Sequence, residues 1–153
     1  MDDIERLASA ASRRGIRVAL AESLTSGLLA SRVGRGEDAA TWFAGSIVAY
    51  LTDVKEGLLG LEPGTDPCSP ECAEQLAGGA RSLLTADIAV STTGVGGPDP
   101  EDGHAPGTVY LGWATADTTS HRLLRLGGDP QEVLDDTVSA AVALLADLVE
   151  QGG

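Results

Sequence analysis

Three short apolar runs of β-type composition most constrain the fold, because helical segments separate them along the chain. The runs span 16–21, 45–50 and 87–93, and the periodicity between them predicts helices over 26–33, 52–59 and 70–84. Further predictions are a first helix over 2–14, a hairpin with strands 108–114 and 120–126, and a last helix over 130–150. This alternation is typical of an α/β fold in which helices cover both faces of a mixed sheet.

Composition indicates one domain, residues 1–153, with an aliphatic core. Hydrophobic residues make up 42% of the chain and aromatic residues only 3%, so Ala, Leu, Val and Ile must fill the interior. The acidic N-terminus and the absence of a long apolar run predict neither a signal peptide nor a membrane span, and hence a cytoplasmic protein. The net charge of −13 argues against nucleic acid as a partner, since binding its backbone needs clustered Lys and Arg.

The two cysteines, Cys68 and Cys72, are interpreted as reduced thiols at the start of a helix. A metal site would need more ligands, and only His104 and His121 are available to supply them. Free thiols without a leader sequence again favour the cytoplasm. We therefore predict neither a metal nor a cofactor.

Segment 21–27 places several hydroxyl groups between a predicted strand and a predicted helix. One interpretation is structural, with Ser23, Thr25 or Ser26 capping the N-terminus of the helix. The other is catalytic, with Ser23 as a nucleophile. The free N–H groups and the positive dipole end of the helix would then suit an oxyanion or a phosphate. The segment by itself leaves both interpretations open.

Lys55 bears on that choice because it is the only lysine in the chain. The other nine of the ten basic residues are arginine, so a lone lysine is expected where arginine cannot substitute. Arginine stays protonated, whereas a desolvated lysine can lose its proton near neutral pH and act as a base. A Ser–Lys pair is one way to activate a hydroxyl. The alternative is a surface lysine without a role.

Three segments, in this order and spacing, resemble the CinA C-terminal domain family (competence/damage-inducible protein). AESLTSG at 21–27 is similar to the family's A-E-S-C-T-G-G, and YLTDVK at 50–55 to Y-S-N-x-x-K. TGVGGP at 93–98 is similar to T-G-I-A-G-P and is followed, as in the family, by a Gly-rich loop and G-T-V. The resemblance extends from the first predicted helix to the last and implies a three-layer α/β/α sandwich.

Stand-alone members of that family include nicotinamide-nucleotide amidases, which hydrolyse the side-chain amide of a nicotinamide nucleotide and release ammonia. By resemblance, Ser23 is the nucleophile, Lys55 its base and Tyr50 an assisting hydroxyl. Substrate contacts are expected at the helix start and in the glycine loop: Thr25, Ser26, Gly27, Gly94, Gly96 and Gly97. A purely structural turn is the alternative for the glycine loop. The resemblance also implies a homo-oligomer, namely a dimer, acting on a small molecule.

The sequence departs from the family pattern at several positions. Leu24 and Ser26 replace Cys and Gly, Leu51 and Thr52 replace Ser and Asn, and His104 stands where Lys is usual. Segment 128–134 lacks both arginines of G-D-R-x-x-V-R, and Pro130 and Leu134 stand in their places. Arginine binds phosphate through bidentate contacts, so binding of a nucleoside monophosphate would need another cation, for which Arg122 and Arg125 are candidates.

Other roles stay open beside the amidase. A non-catalytic paralogue would keep the fold and bind a small nucleotide or a protein partner, which the missing arginines and Ser26 favour. A nucleic-acid-handling competence factor, suggested by the family name, conflicts with the acidic charge. Within the amidase hypothesis, Thr52 is a rival nucleophile because it lies three residues before Lys55 on a predicted helix. Glu22 is interpreted as a solvated or supporting carboxylate that could orient Lys55.

Overall fold

The computed structural model describes residues 1–152, and its elements follow the predicted order. They are α1 (Asp3–Arg14), β1 (Val18–Glu22), α2 (Leu28–Val33), α3 (Ala39–Trp42), β2 (Phe43–Val48), α4 (Thr52–Leu59), α5 (Pro70–Leu83), β3 (Ile88–Gly94), β4 (Thr108–Ala114), β5 (Thr119–Arg125) and α6 (Pro130–Glu150). Each predicted helix and strand is confirmed, with ends that differ by about two residues at most. The short helix α3 was not predicted. Within the described residues, no helix combines the length and apolarity needed to cross a membrane.

The strands form one mixed sheet in the order β2-β1-β3-β4-β5. β2, β1 and β3 are parallel, and helical crossovers join them; β4 and β5 extend the sheet as an antiparallel hairpin. β3 lies at the centre and is buried along nearly its whole length, as expected for a strand that is covered on both faces. The parallel arrangement brings the carboxyl ends of three strands to one edge of the sheet.

Helices cover both faces of the sheet, which confirms the α/β/α sandwich. On one face, α1, α2, α3 and α6 enclose an aliphatic core that includes Leu20 and Leu145. On the other face, α4 and α5 pack through smaller side chains such as Ala80. There, α5 lies so close to β4 that a Cβ at Gly112 would overlap the carbonyl oxygen of Ala73. Small residues thus allow a close helix–sheet approach in a chain that has few aromatic residues.

Local capping signals explain where the longer helices begin. α1 and α6 each start with a capping box, in which Asp2 and Asp129 exchange hydrogen bonds with Glu5 and Glu132. Ser69 caps α5, and a proline follows it at the first helical position. These signals are readable in the sequence because donor and acceptor lie within one helical turn.

The predicted side-chain cap of α2 is wrong. This helix begins two residues later than predicted, because Ser26 and Gly27 have positive φ angles of 45° and 107° that interrupt the helical conformation. Gly27 occupies the N-cap position and offers no side-chain cap. Thr52 does not cap α4 either, since it is the first helical residue and Leu51 precedes it as N-cap. The N–H groups of α2 are instead satisfied by a carboxylate from β1.

Candidate active site

The three parallel strands end beside a cavity of about 330 Å³. Ser23 directly follows β1, and its N–H donates to the carbonyl of Thr92 on β3 over 3.0 Å. The N–H of Ala49, just beyond β2, donates to the carbonyl of Glu22 on β1 over 2.9 Å. These bonds hold the three strand ends together. The crevice outside the carboxyl ends of parallel strands is where open α/β sheets commonly bind ligands.

The structure brings the three predicted catalytic residues to this cavity. Ser23 and Lys55 are nearly buried, with 6% and 3% of their surface exposed, and Tyr50 is 62% exposed at the rim. Thr52, the rival nucleophile, also lines the cavity but lies at its exposed side. Enclosure therefore favours Ser23 over Thr52, because a nucleophile reacts best where water is excluded.

Burial lowers the pKa of Lys55, which favours the unprotonated amine that a base requires. Desolvation is the largest influence, and the thiols of Cys72 and Cys68 and the Glu101 carboxylate act in the opposite direction. Lys55 forms no ion pair with any carboxylate of residues 1–152. Burial also raises the pKa of both thiols, that of Cys68 to about 11. Both cysteines are free, as predicted, and both are buried.

Glu22 is the buried centre of the turn that carries Ser23, with 1% of its surface exposed. Its two carboxylate oxygens accept five hydrogen bonds of 2.8–3.1 Å. The donors are the N–H groups of Gly27, Leu29 and Ala30 and the hydroxyls of Thr25 and Ser46. The interpretation of Glu22 as a supporting carboxylate is confirmed, whereas its interpretation as a solvated residue, or as one that orients Lys55, is wrong. Glu22 caps α2 from the preceding strand and fixes the position of Ser23.

Three of the predicted substrate contacts lie outside the cavity lining. Thr25 is completely buried, and its hydroxyl donates to Glu22. The Ser26 N–H donates to the carbonyl of Ser23 over 3.1 Å, and the Gly27 N–H donates to Glu22 over 3.1 Å. The N–H groups around Thr25 to Gly27 are predicted to hold an oxyanion. Those of Ser26 and Gly27 are already engaged, and none of the three residues lines the cavity, which corrects that part of the sequence-based assignment.

The predicted glycines of the 94–97 loop do line the cavity, but for different reasons. Gly94 has a φ of 151°, and a Cβ there would lie 2.7 Å from the Cα of Val109, so the pairing of β3 with β4 itself requires glycine. Gly97 has a φ of 89° and is also constrained by its backbone. At Gly96, by contrast, a Cβ would meet nothing within 4 Å. Of the three, Gly96 alone is free of a structural requirement and faces open space.

Substitution of these glycines separates the structural role from the ligand role. We expect Gly94→Ala to lower the free energy of unfolding by about 2 kcal/mol or more, through strain and overlap with β4. We expect Gly96→Ala to change it by less than about 1 kcal/mol, since the added methyl group enters empty space. Urea unfolding measures both. Equal stability of the two variants would contradict the distinction.

The cavity also contains charged residues to which the sequence assigned no role. His104 Nε2 lies 2.7 Å from Asp66 Oδ2. Burial opposes ionisation of Asp66, but the N–H of Cys68, at 2.9 Å, and His104 hold its pKa below the usual value. Glu101 and Asp102 line the same cavity. The sequence offered one indication of a role for His104, because it occupies a position where the family pattern has Lys. It offered none for Asp66, which lies in a loop without a recognisable motif.

A sequence profile of the CinA C-terminal domain matches residues 2–149. The chain belongs to the CinA C-terminal domain family. It is 38% identical over 137 residues to a CinA-like protein of Frankia casuarinae, and 42% identical over 113 residues to a competence-damage inducible protein of Bacillus velezensis. The alignments cover 87% and 71% of this CinA domain but 32% and 27% of the relatives. The chain thus spans about a third of the length of these curated relatives.

Solved structures of CinA superfamily proteins share the whole architecture. The protein from Klebsiella pneumoniae 700603 is 28% identical and superposes with a TM-score of 0.92, over 97% of this chain and 96% of that one. The Escherichia coli protein is 32% identical with a TM-score of 0.87, over 95% and 90% of the two chains. These similarities confirm the predicted fold class.

Both positions at which this CinA domain lacks the expected arginines lie in the cavity wall. Pro130 and Leu134, at the start of α6, line the cavity. Arg122 and Arg125 do not replace the missing cations, because they lie on the edge strand β5 and outside the lining. Arg122 instead lies 6.0 Å from the centre of the Trp113 ring. Of the residues that the structure describes, no arginine lines the cavity.

Proposed function

We propose that this CinA domain is an amidohydrolase that converts nicotinamide mononucleotide, or a related small amide, to the acid and ammonia. The observation that carries the proposal is the enclosure of Ser23 and the chain's only lysine in one cavity, where burial lowers the pKa of that lysine. A hydroxyl and an unprotonated amine that face the same space are the parts of a Ser–Lys nucleophile.

The reaction follows from these two groups. Neutral Lys55 accepts the proton of Ser23 Oγ as the oxygen attacks the amide carbon. The tetrahedral intermediate collapses when the Lys55 ammonium returns that proton to the leaving nitrogen, and ammonia departs. Lys55 then takes a proton from a water molecule that attacks the Ser23 ester. As the ester is cleaved, the Lys55 ammonium returns this proton to Ser23 Oγ, which restores the serine hydroxyl and the neutral amine and releases the acid, so that amide and water have become acid and ammonia.

Two further groups support the reaction. We assign the developing oxyanion to the N–H of Leu24, because Leu24 lines the cavity next to Ser23 whereas the N–H groups of Ser26 and Gly27 are engaged elsewhere. Tyr50 provides the assisting hydroxyl from the exposed rim. Its exposure suits a group that meets the substrate as it enters.

The test is ammonia release from nicotinamide mononucleotide and from its nucleoside, nicotinamide riboside. We expect Ser23→Ala to reduce kcat by about 10³-fold or more, because the attacking oxygen is removed. Thr52→Val is the matched control, since it removes a hydroxyl from the same cavity and should retain most of the activity. If Thr52→Val lost activity and Ser23→Ala kept it, Thr52 rather than Ser23 would be the nucleophile. A folded wild-type protein that turns over neither compound would contradict the amidase proposal and favour the non-catalytic paralogue.

A further inference from the structure

We infer that the cavity selects a substrate without a phosphate group, namely an uncharged or cationic amide such as a pyridinium nucleoside, over the corresponding nucleoside monophosphate. The part of this inference that concerns turnover rests on the proposed amidase function. The part that concerns ligand binding rests on the charges of the cavity. Three features of the cavity wall support the inference: an excess of carboxylates, the pairing of His104 and the lowered pKa of Lys55, and the carboxylates at the start of α6.

The first feature is an excess of carboxylates. Asp66, Glu101 and Asp102 line the cavity, and the cationic or potentially cationic side chains in the lining are Lys55 and His104. Glu101 and Asp102 form no ion pair with any of residues 1–152. Their charges are therefore unpaired in the cavity lining, where they attract a cation and repel a phosphate.

The second feature is that both potential cations in the lining are weak partners for a phosphate. His104 is held by Asp66 at 2.7 Å, so its charge, when present, is already paired. Lys55 must be unprotonated to act as the base, and its lowered pKa favours that state. In the reactive form of the enzyme, the net charge of the lining is thus negative. A chain with a net charge of −13 offers no compensating long-range field.

The third feature is the start of α6, where carboxylates already lie although Pro130 and Leu134 form part of the cavity wall. The N–H of Glu132 donates to the Asp129 carboxylate over 2.9 Å, and the N–H of Asp129 donates to the Glu132 carboxylate over 3.2 Å. Pro130 has no N–H to offer. Two carboxylates therefore already neutralise the positive end of this helix, and a phosphate would meet negative charge there.

The two forms of one pyridinium compound make a sharp comparison. Nicotinamide riboside carries the positive charge of its pyridinium ring, and nicotinamide mononucleotide adds a phosphate of about −1.5 to −2 at pH 7. The reacting amide is the same in both. A difference in their binding or turnover therefore reports how the cavity responds to the phosphate alone.

The experiment has two readouts on the same chain. The first is kcat/KM for ammonia release, which we expect to be at least about tenfold higher for the riboside than for the mononucleotide. The second is calorimetric binding of both compounds to the Ser23→Ala variant, which needs no turnover. There we expect the riboside to bind at least about tenfold more tightly.

Matched variants test the cause. In the double variant Glu101→Gln/Asp102→Asn, which removes two cavity charges at nearly constant shape, we expect the preference for the riboside to fall by about tenfold. Asp99→Asn is the control, because Asp99 is exposed on the same loop but outside the cavity lining, and its neutralisation should leave the preference unchanged. An equal effect of both changes would show a general charge effect and overturn the assignment to the cavity.

The outcomes separate the inference from the proposed function. Turnover of both compounds with the mononucleotide preferred would overturn the inference and leave the amidase proposal standing. Absence of turnover together with tighter binding of the riboside would overturn the amidase proposal and leave the ligand class standing. Tighter binding of the mononucleotide, or binding of neither compound, would overturn the inference whether or not the protein is an amidase.

Discussion

Replacement of Lys55 by arginine or methionine is expected to reduce kcat/KM for amide hydrolysis by about 10²–10⁴-fold while the fold is retained. Arginine keeps a charge but stays protonated, so it cannot accept the Ser23 proton. Methionine keeps an unbranched stem of similar length and removes the nitrogen. Because Lys55 is buried, with 3% of its surface exposed, and forms no ion pair with residues 1–152, we expect methionine to change the free energy of unfolding by less than about 1 kcal/mol.

The pH profile distinguishes a base from a merely structural residue. A base must be unprotonated, so kcat/KM of the wild-type protein should rise with pH as Lys55 loses its proton. Burial lowers the pKa of Lys55 from its ordinary value of 10.5, and the rise should therefore come at a lower pH than for an exposed lysine. The residual activity of Lys55→Met should lack this rise. Full activity in Lys55→Arg would remove Lys55 as the base.

Removal of the Glu22 carboxylate is expected to have the largest effect on stability, a loss of about 3–4 kcal/mol in the free energy of unfolding for Glu22→Ala. Five donors point at this carboxylate, and three of them are N–H groups at the start of α2. Alanine would leave these donors without this acceptor in a buried or half-buried region. Glu22→Gln should cost less, about 1–3 kcal/mol, because one acceptor oxygen remains.

Urea or thermal unfolding measures the Glu22 variants, with Glu37→Ala as the matched control. Glu37 is exposed on the loop after α2, and its removal should change the free energy of unfolding by no more than about 0.5 kcal/mol. Ammonia release adds a second measurement. Since Glu22 holds the turn that carries Ser23, its loss should also reduce activity at temperatures where the protein is still folded. A Glu22→Ala protein as stable as the wild type would refute the capping role.

The order and approximate bounds of the helices and strands were predictable from the sequence because the signals that set them are local. The capping box at Asp2, the Ser69 cap and the glycine after α4 each act within one turn of their helix. Apolar periodicity likewise distinguishes a strand from a helix over a few residues. The start of α2 was not predictable in this way, because its cap is the side chain of Glu22, a residue of the preceding strand.

In the candidate site too, some residues were predictable from local sequence signals and others were not. Ser23, Tyr50 and Lys55 could be named from residue type, rarity and resemblance. Ser23 and Tyr50 follow the parallel strands β1 and β2, and Lys55 lies in α4, the helix after β2. The sequence by itself thus determined the layered fold and the nucleophile and base to be tested. Only the tertiary structure decided which other residues line the cavity that contains Ser23 and Lys55. Asp66 and Glu101 come from loops far apart in the chain, and no local pattern records which loops meet across a cavity.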